Sequence, residues 1–301
     1  MKPPDFEYLR VDSLEEAKQA LAVSSSDDAK VLAGGQSLVP LMNFRLARPR
    51  TLVDINHIPD QAYRRIENGR VELGPLCRHR DVELDPAIMG KCAAIREAVP
   101  LIGHVAVRQR GTVVGSFAHG DPLAEWSTLG VLVNAVVRVE REGRAREVPA
   151  STWFKGFFDT DVDRDELATS VAFDLPEASP LTGTAFAEIA RRHGDFCLAS
   201  AAAVVQLDET GDVRALRLVV SGLKTVPWSL GSRGSEYLGQ VPSDALWARL
   251  ADELPGDSEV ASDLHATGAT RRAMAYALAR RVLSSAAARA EKRRRDTDNG
   301  R

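Results

Sequence analysis

The residues best suited to chemistry are two short runs of small and hydroxyl-bearing side chains. AGGQS occupies positions 33 to 37, and GTVVGSFAHGDP occupies 111 to 122. The first run falls between an expected strand and an expected helix. In that setting glycines let the backbone approach a phosphate, successive N–H groups form an anion-binding concavity, and a helix N-terminus adds partial positive charge. Ser37 can either cap the helix or bond a phosphate oxygen. A tight strand-to-helix turn with no ligand uses the same residues, because an isolated glycine pair is a weak signal. GGQSLV also lacks the third glycine of G-x-G-x-x-G, which disfavours a nicotinamide dehydrogenase of the usual plan. The second run, read as a loop that Pro122 stops, adds the hydroxyls of Thr112 and Ser116 and the carboxylate of Asp121 around Gly115. A pyrophosphate and ribose held from two sides would need such a set. Its irregularity is Val114, a β-branched residue in the slot before Gly115.

Other chemistries find little support. Cys77, Cys92 and Cys197 lie far apart with no C-x-x-C, so neither a disulfide framework nor a thiolate set for zinc or an iron–sulfur cluster is present on the chain. The six histidines are scattered. No catalytic acid, base or metal ligand is assigned: His119 has no orienting partner in sequence and reads as a packing or hydrogen-bonding residue, and Trp126 and Trp153 read as core. A net charge of -3 points away from nucleic acid and anionic membranes, with the basic block EKRRR at 291 to 295 read as a solvated tail. MKPPDFEYLR has no apolar leader segment, and the longest apolar runs, such as LGVLVNAVV, are too short to span a bilayer, so the expected location is cytoplasmic.

The elements that must position the two runs are legible in outline. SLEEAKQALA is an amphipathic helix in which Ser13 and Glu16 have capping-box spacing. AKVLA and RTLVDINHI read as strands on either side of LVPLMNFRLA, where Pro40 suits an early helical turn. NGRVELGP reads as a strand and turn, DVELDPAIMGKCAAIREAV as helical material, DPLAEWSTLGVLVNA as a helix, and AVVRVEREGRAREVP as a hairpin around Glu142 and Gly143. LPEASPLTG, rich in Pro and Ser, is the expected linker, with a boundary near residue 178. Beyond it come two or three strands with ETGD as a hairpin turn, then helices in SDALWARLADEL and in the alanine-rich 269 to 290 stretch. At 301 residues more than one domain is the default, and 44% hydrophobic with 27% charged residues fits an ordinary globular protein.

Several of these stretches resemble a known family, the FAD-binding medium subunits of molybdenum hydroxylases, the group of carbon monoxide dehydrogenase and xanthine dehydrogenase. AGGQSLVPLMNFRLARPRTLVDI is similar to that family's first flavin loop. VRQRGTVVGSFAHGDPLAE is similar to I-R-N-x-G-T-I-G-G-S-x-A-H-x-D-P-x-A-E, and WFKGFFDTDVDRDELATSV, IARRHGDFCLASAAAVV and SGLKTVPWSL match in order. The resemblance implies an α+β chain: a two-lobed, vanillyl-alcohol-oxidase-like FAD-binding domain (1–57 and 58–178), a C-terminal sheet-plus-helices cap (179–288) and a basic flexible tail (289–301). It implies that Ala33, Gly34, Gly35, Gln36, Ser37 and Leu38 hold the pyrophosphate and that Thr112, Gly115 and Ser116 clasp it from the other side. Asp121 would serve the ribose, Leu167 would lie near the ring system, and Asp195 would sit at the domain seam, where a simple turn-capping role is the alternative.

The implied activity is electron transfer from [2Fe–2S] clusters of a small subunit through FAD to an acceptor, with the molybdenum cofactor on a large subunit and a dimer of heterotrimers as the assembly. A stand-alone flavin oxidase or reductase, or a structural subunit with a decayed flavin site, are the rivals. The sequence departs from the family at Val114, where a glycine is usual, at Gln109, where Asn is usual, and in PWSL, which lacks an Arg. If position 114 requires a positive φ, Val114 costs about 1 to 3 kcal/mol and weakens FAD binding. If the slot is extended, it only blocks one close approach.

Overall fold

The computed structural model describes residues 2–23 and 29–299. The first lobe is a small parallel sheet. It comprises β1 (Glu7–Arg10), α1 (Leu14–Val23), β2 (Ala29–Leu32), α2 (Leu38–Asn43) and β3 (Thr51–Asp54). Strand β3 lies between the other two, with Thr51 opposite both Glu7 and Ala29. Ala17 and Leu21 of α1 bury against Val53 and Ile55. The expected cap forms: Ser13 Oγ accepts from the Glu16 amide at 3.1 Å, while the Glu16 carboxylate accepts from the amide of Asp12, one residue earlier than a strict capping box requires. Helix α2 is only 6 residues long, so it sums few peptide dipoles.

The second lobe centres on an antiparallel sheet. Strands β4 (Arg64–Glu67) and β5 (Arg70–Leu73) lead into six short helices: α3 (His79–Glu83), α4 (Pro86–Lys91), α5 (Ala93–Ala98), α6 (Val105–Arg108), α7 (Val113–His119) and α8 (Glu125–Leu132). The hairpin β6 (Val136–Arg141) and β7 (Arg144–Pro149) turns at Gly143, whose φ is 68°. Then follow α9 (Ala150–Trp153), the small pair β8 (Phe154–Gly156) and β9 (Asp159–Thr160), and β10 (Leu167–Asp174). Strand β10 closes the sheet by inserting between β5 and β6, which makes the order β4-β5-β10-β6-β7. Trp126 and Trp153 are fully buried beneath it, as their sequence context suggested.

The 111 to 122 run is not the loop the sequence suggested. Its centre is helix α7, which opens on Thr112, whose Oγ1 accepts from the Gly115 amide at 3.0 Å, and ends on Gly120 at φ 68°. Val113, Val114 and Phe117 face inward with helical spacing and join the main core. Val114 is not among the positive-φ residues. Position 114 has neither the positive φ nor the extended backbone considered for it, and its β-branched side chain packs in the core.

The C-terminal sheet runs in chain order: β11 (Thr182–Ala190), β12 (Cys197–Leu207), β13 (Val213–Ser221) and β14 (Trp228–Ser229), all antiparallel. After α10 (Asp244–Asp252), helix α11 (Gly268–Asn299) crosses the sheet and buries Ala279, Leu283, Ala286 and Ala290. Gly183 permits this closeness, since any side chain there would strike the carbonyl of Ala286. Two expectations are corrected here. The residues from 289 onward are not a loose tail, because α11 continues through Asn299 and its basic side chains are engaged: Arg293 pairs with Glu177 at 2.5 Å, and Arg294 and Arg295 pair with Glu291. Nor is 175 to 183 a loose linker. The buried Glu177 carboxylate accepts from the amides of Ala93 and Thr184 and from the Thr184 hydroxyl, which pins the second lobe to the C-terminal sheet and α11.

Candidate cofactor site

The two glycine runs meet. After β2 the chain turns through Gly34 and Gly35, the latter at φ 70°. A Cβ at Gly34 would collide with the Arg110 carbonyl oxygen and lie 2.7 Å from the Gly111 Cα. The first lobe thus touches the second backbone to backbone, an approach that only glycine allows. Gly111 is held in turn by His79, since a Cβ there would lie 2.9 Å from the imidazole. His79 is buried, and burial followed by the nearby Arg108 and Arg78 depresses its pKa to about 3. The neutral ring accepts from Trp126 Nε1 through Nδ1 at 3.1 Å.

Beside this contact lies a cavity of about 700 Å³, within the range of small-molecule sites. It is lined by the turn from Ala33 to Gln36, by Asp54 at the end of β3 and Asn56 just beyond it, and by Arg78 and Arg110 from the second lobe. The backbone amides of Gly34, Gly35, Gln36 and Ser37 have no acceptor among the described residues. Ser37 stands at the start of α2, yet its hydroxyl makes no capping bond. Asn56 is fixed by donating to the carbonyls of Leu32 and Ala33 at 3.2 and 2.7 Å. Its Oδ1 accepts from Arg78 at 2.8 Å, and Arg78 also donates to the Arg110 carbonyl at 2.5 Å. Asp54 accepts from Tyr8 and from Asn56; burial works against its charge, but these bonds outweigh it and hold the carboxyl below the usual range. Unpaired amides, a free hydroxyl and two guanidinium groups are the donor set a diphosphate requires.

The remaining sequence-derived residues lie elsewhere. Leu38 begins α2. Thr112, Gly115 and Ser116 belong to the capped turn of α7 and do not line the cavity; the amides of 113, 115 and 116 have protein acceptors, and those of Thr112 and Val114 have none among the described residues. Leu167 is buried in the core of the first lobe. Asp195 is half-buried, in a turn where it pairs with Arg191 at 3.6 Å, next to Gly194, which abuts the Gly103 carbonyl of the second lobe. Asp121 is buried after α7, and its carboxylate accepts from the Leu123 amide. It belongs to an acidic group at the seam with the C-terminal sheet. Burial raises the Glu125 carboxyl to about 8, with Glu188 adding to it, and burial raises Glu188 to about 7. Glu188 Oε2 is buried with no hydrogen-bond partner among the described residues. His119 packs against Phe158 in a tilted arrangement with ring centroids 4.9 Å apart.

Asn56, Arg78 and Arg110 were not singled out in the sequence. DIN after β3 and the Arg before Gly111 sit inside or next to the quoted motifs, but nothing in their spacing shows that three separate segments converge. All three cysteines are buried free thiols. Among the described residues no His, Cys, Asp and Glu group is arranged for a metal, and no helix is long and apolar enough to cross a membrane.

Known proteins share this architecture. Residues 4–176 match the model of the FAD-binding domain in molybdopterin dehydrogenase, and residues 184–286 match the carbon monoxide dehydrogenase flavoprotein C-terminal domain. The chain is 39% identical over 222 residues to the 6-hydroxypseudooxynicotine dehydrogenase complex subunit alpha of Paenarthrobacter nicotinovorans, covering 74% of each chain. It is 33% identical to the carbon monoxide dehydrogenase medium chain of Hydrogenophaga pseudoflava, over 96% of this chain and 99% of that one. In structure it superposes on a chain of the carbon monoxide dehydrogenase from the same organism with a TM-score of 0.89 at 31% identity, over 96% and 99% of the two chains. The two glycine-bearing segments, brought together across two lobes and followed by the matching C-terminal domain, place this chain in the family of FAD-binding flavoprotein subunits of molybdopterin dehydrogenases, which are oxidoreductases.

Proposed function

We propose that this chain is the FAD-carrying electron-transfer subunit of a heteromeric molybdenum hydroxylase. It would take electrons from [2Fe–2S] clusters of a small partner subunit and pass them to an external acceptor, while substrate is oxidised at a molybdenum cofactor on a large one. The relatives named as a medium chain and as a complex subunit support that division of labour, as does a chain whose three cysteines are dispersed and buried. The observation that carries the reading is the cleft lined by the Ala33 to Gln36 turn, whose amides at 34 to 36 have no acceptor among the described residues, and by Arg78 and Arg110 of the second lobe. Bound there, FAD would supply the exchange of electrons that the protein only binds and orients.

Each segment then has a defined task. Ala33 to Leu38 hold the diphosphate bridge. Thr112, Gly115 and Ser116 act behind it, fixing α7 so that Arg110 and Gly111 meet Gly34. Asp121 and Asp195 flank the seam with the C-terminal sheet, and buried Leu167 braces the first lobe from behind. Isolation of the native protein with whatever accompanies it tests the reading. One FAD per chain, with iron and molybdenum in co-eluting subunits, is expected. A flavin-free native complex, or a lone yellow protein that oxidises substrate unaided, overturns it.

A further inference from the structure

Arg78 and Arg110 face the same cleft, and among the described residues neither forms an ion pair. Two like charges held together without a counter-ion are unfavourable, so the arrangement invites an anion. The Arg78 guanidinium is accordingly held below its usual range, by burial first and by repulsion from Arg110 second, with Asp81 and Asp54 each opposing this less strongly. Asp54, which shares the cavity, is already occupied by Tyr8 and Asn56.

Arg78 is also a strap. A guanidinium carries five N–H donors in a rigid fork. One terminal nitrogen of Arg78 reaches the Arg110 carbonyl and the other reaches Asn56, which is itself anchored to the carbonyls of Leu32 and Ala33. This chain of bonds ties the second lobe to the first where the Gly34 turn meets residue 110. The remaining donors of the fork are left for a ligand.

We infer that Arg78 is the specificity-determining residue of this site: with Arg110 it neutralises a diphosphate bridge while its bonds to Asn56 and Arg110 hold the lobes at the spacing such a bridge spans. The cleft thereby selects a dinucleotide flavin over one that ends in a hydroxyl. This inference rests on the reading of the cleft as the FAD site. A flavin without the diphosphate leaves both guanidinium groups unpaired and gains nothing from them.

The test uses the full chain freed of flavin and titrated with FAD, ADP and riboflavin at several salt concentrations. Arg78→Met is expected to weaken FAD and ADP about 10- to 100-fold, to flatten the salt dependence of both, and to leave riboflavin unchanged. Arg78→Lys, which keeps a point charge but loses the fork, should recover part of the loss, and it serves in place of the methionine variant should that variant not fold. Wild-type affinity for FAD and ADP in these variants overturns the inference, as does a riboflavin loss equal to that of FAD, which would mark Arg78 as a spacer only. A wild-type chain that binds riboflavin but neither FAD nor ADP also overturns it while leaving a flavin function standing. A wild-type chain that binds no flavin brings down the functional reading and this inference together.

Discussion

The two glycine runs look alike in sequence and are built differently. In the 33 to 37 turn the amides are left without partners, Ser37 caps nothing, and Gly34 has no room for a side chain. In the 111 to 122 run the amides of 113, 115 and 116 have protein acceptors, Thr112 caps α7, Gly120 ends it, and Val114 is 3% exposed in the core, while the amides of Thr112 and Val114 have none among the described residues. Buried or crowded polar groups left unsatisfied cost free energy, so a fold retains them only where something else repays that cost. We propose that the first run is the ligand-facing one and that the second serves chiefly as scaffold, meeting the Gly34 turn through Gly111 and the preceding Arg110.

Substitutions can break this contrast. The largest effect is expected from Val114→Gly, which removes a buried side chain and places glycine inside a helix, at a cost of about 2 to 4 kcal/mol in unfolding free energy. FAD affinity of the folded fraction should not improve; tighter binding, measured by flavin fluorescence, would restore the idea that Val114 obstructs the site. Gly34→Ala should follow, at about 1 to 3 kcal/mol from overpacking against the Arg110 carbonyl. Here affinity for FAD should fall with stability, because the lobes are pushed apart; an unchanged dissociation constant would separate the cleft from that contact.

The smallest effect concerns the seam beside the scaffold run. Glu125 has a folded pKa of about 8, above its ordinary value, so its contribution is fully present at low pH and is lost as pH rises through about 8. Glu125→Gln should change stability by less than about 1 kcal/mol at pH 5 and then gain on the wild type as pH rises toward 8. Denaturant midpoints at a series of pH values read this difference, and parallel curves for the two proteins would show that Glu125 is ionised in the native state throughout.

The residues themselves determined a good deal. Local signals placed α1 by its amphipathic pattern, β2 and β3 as short apolar runs, the β6–β7 hairpin by its turn residues and most of α11 by its alanine content, because these preferences act whatever the tertiary context. Motif order carried the family and its FAD, and Trp126 and Trp153 were legible as core. The 111 to 122 run was misread because glycine, serine and threonine suit a cap as well as a loop, and only the packing of Val113, Val114 and Phe117 decides between them. The expected tail and linker failed similarly: Arg293 and Glu177 are far apart in the chain, and their ion pair exists only once α11 lies across the sheet. Above all, tertiary structure alone brought Asn56, Arg78 and Arg110 to the Gly34 turn, since a cleft between lobes is made of contacts that no local window of sequence contains.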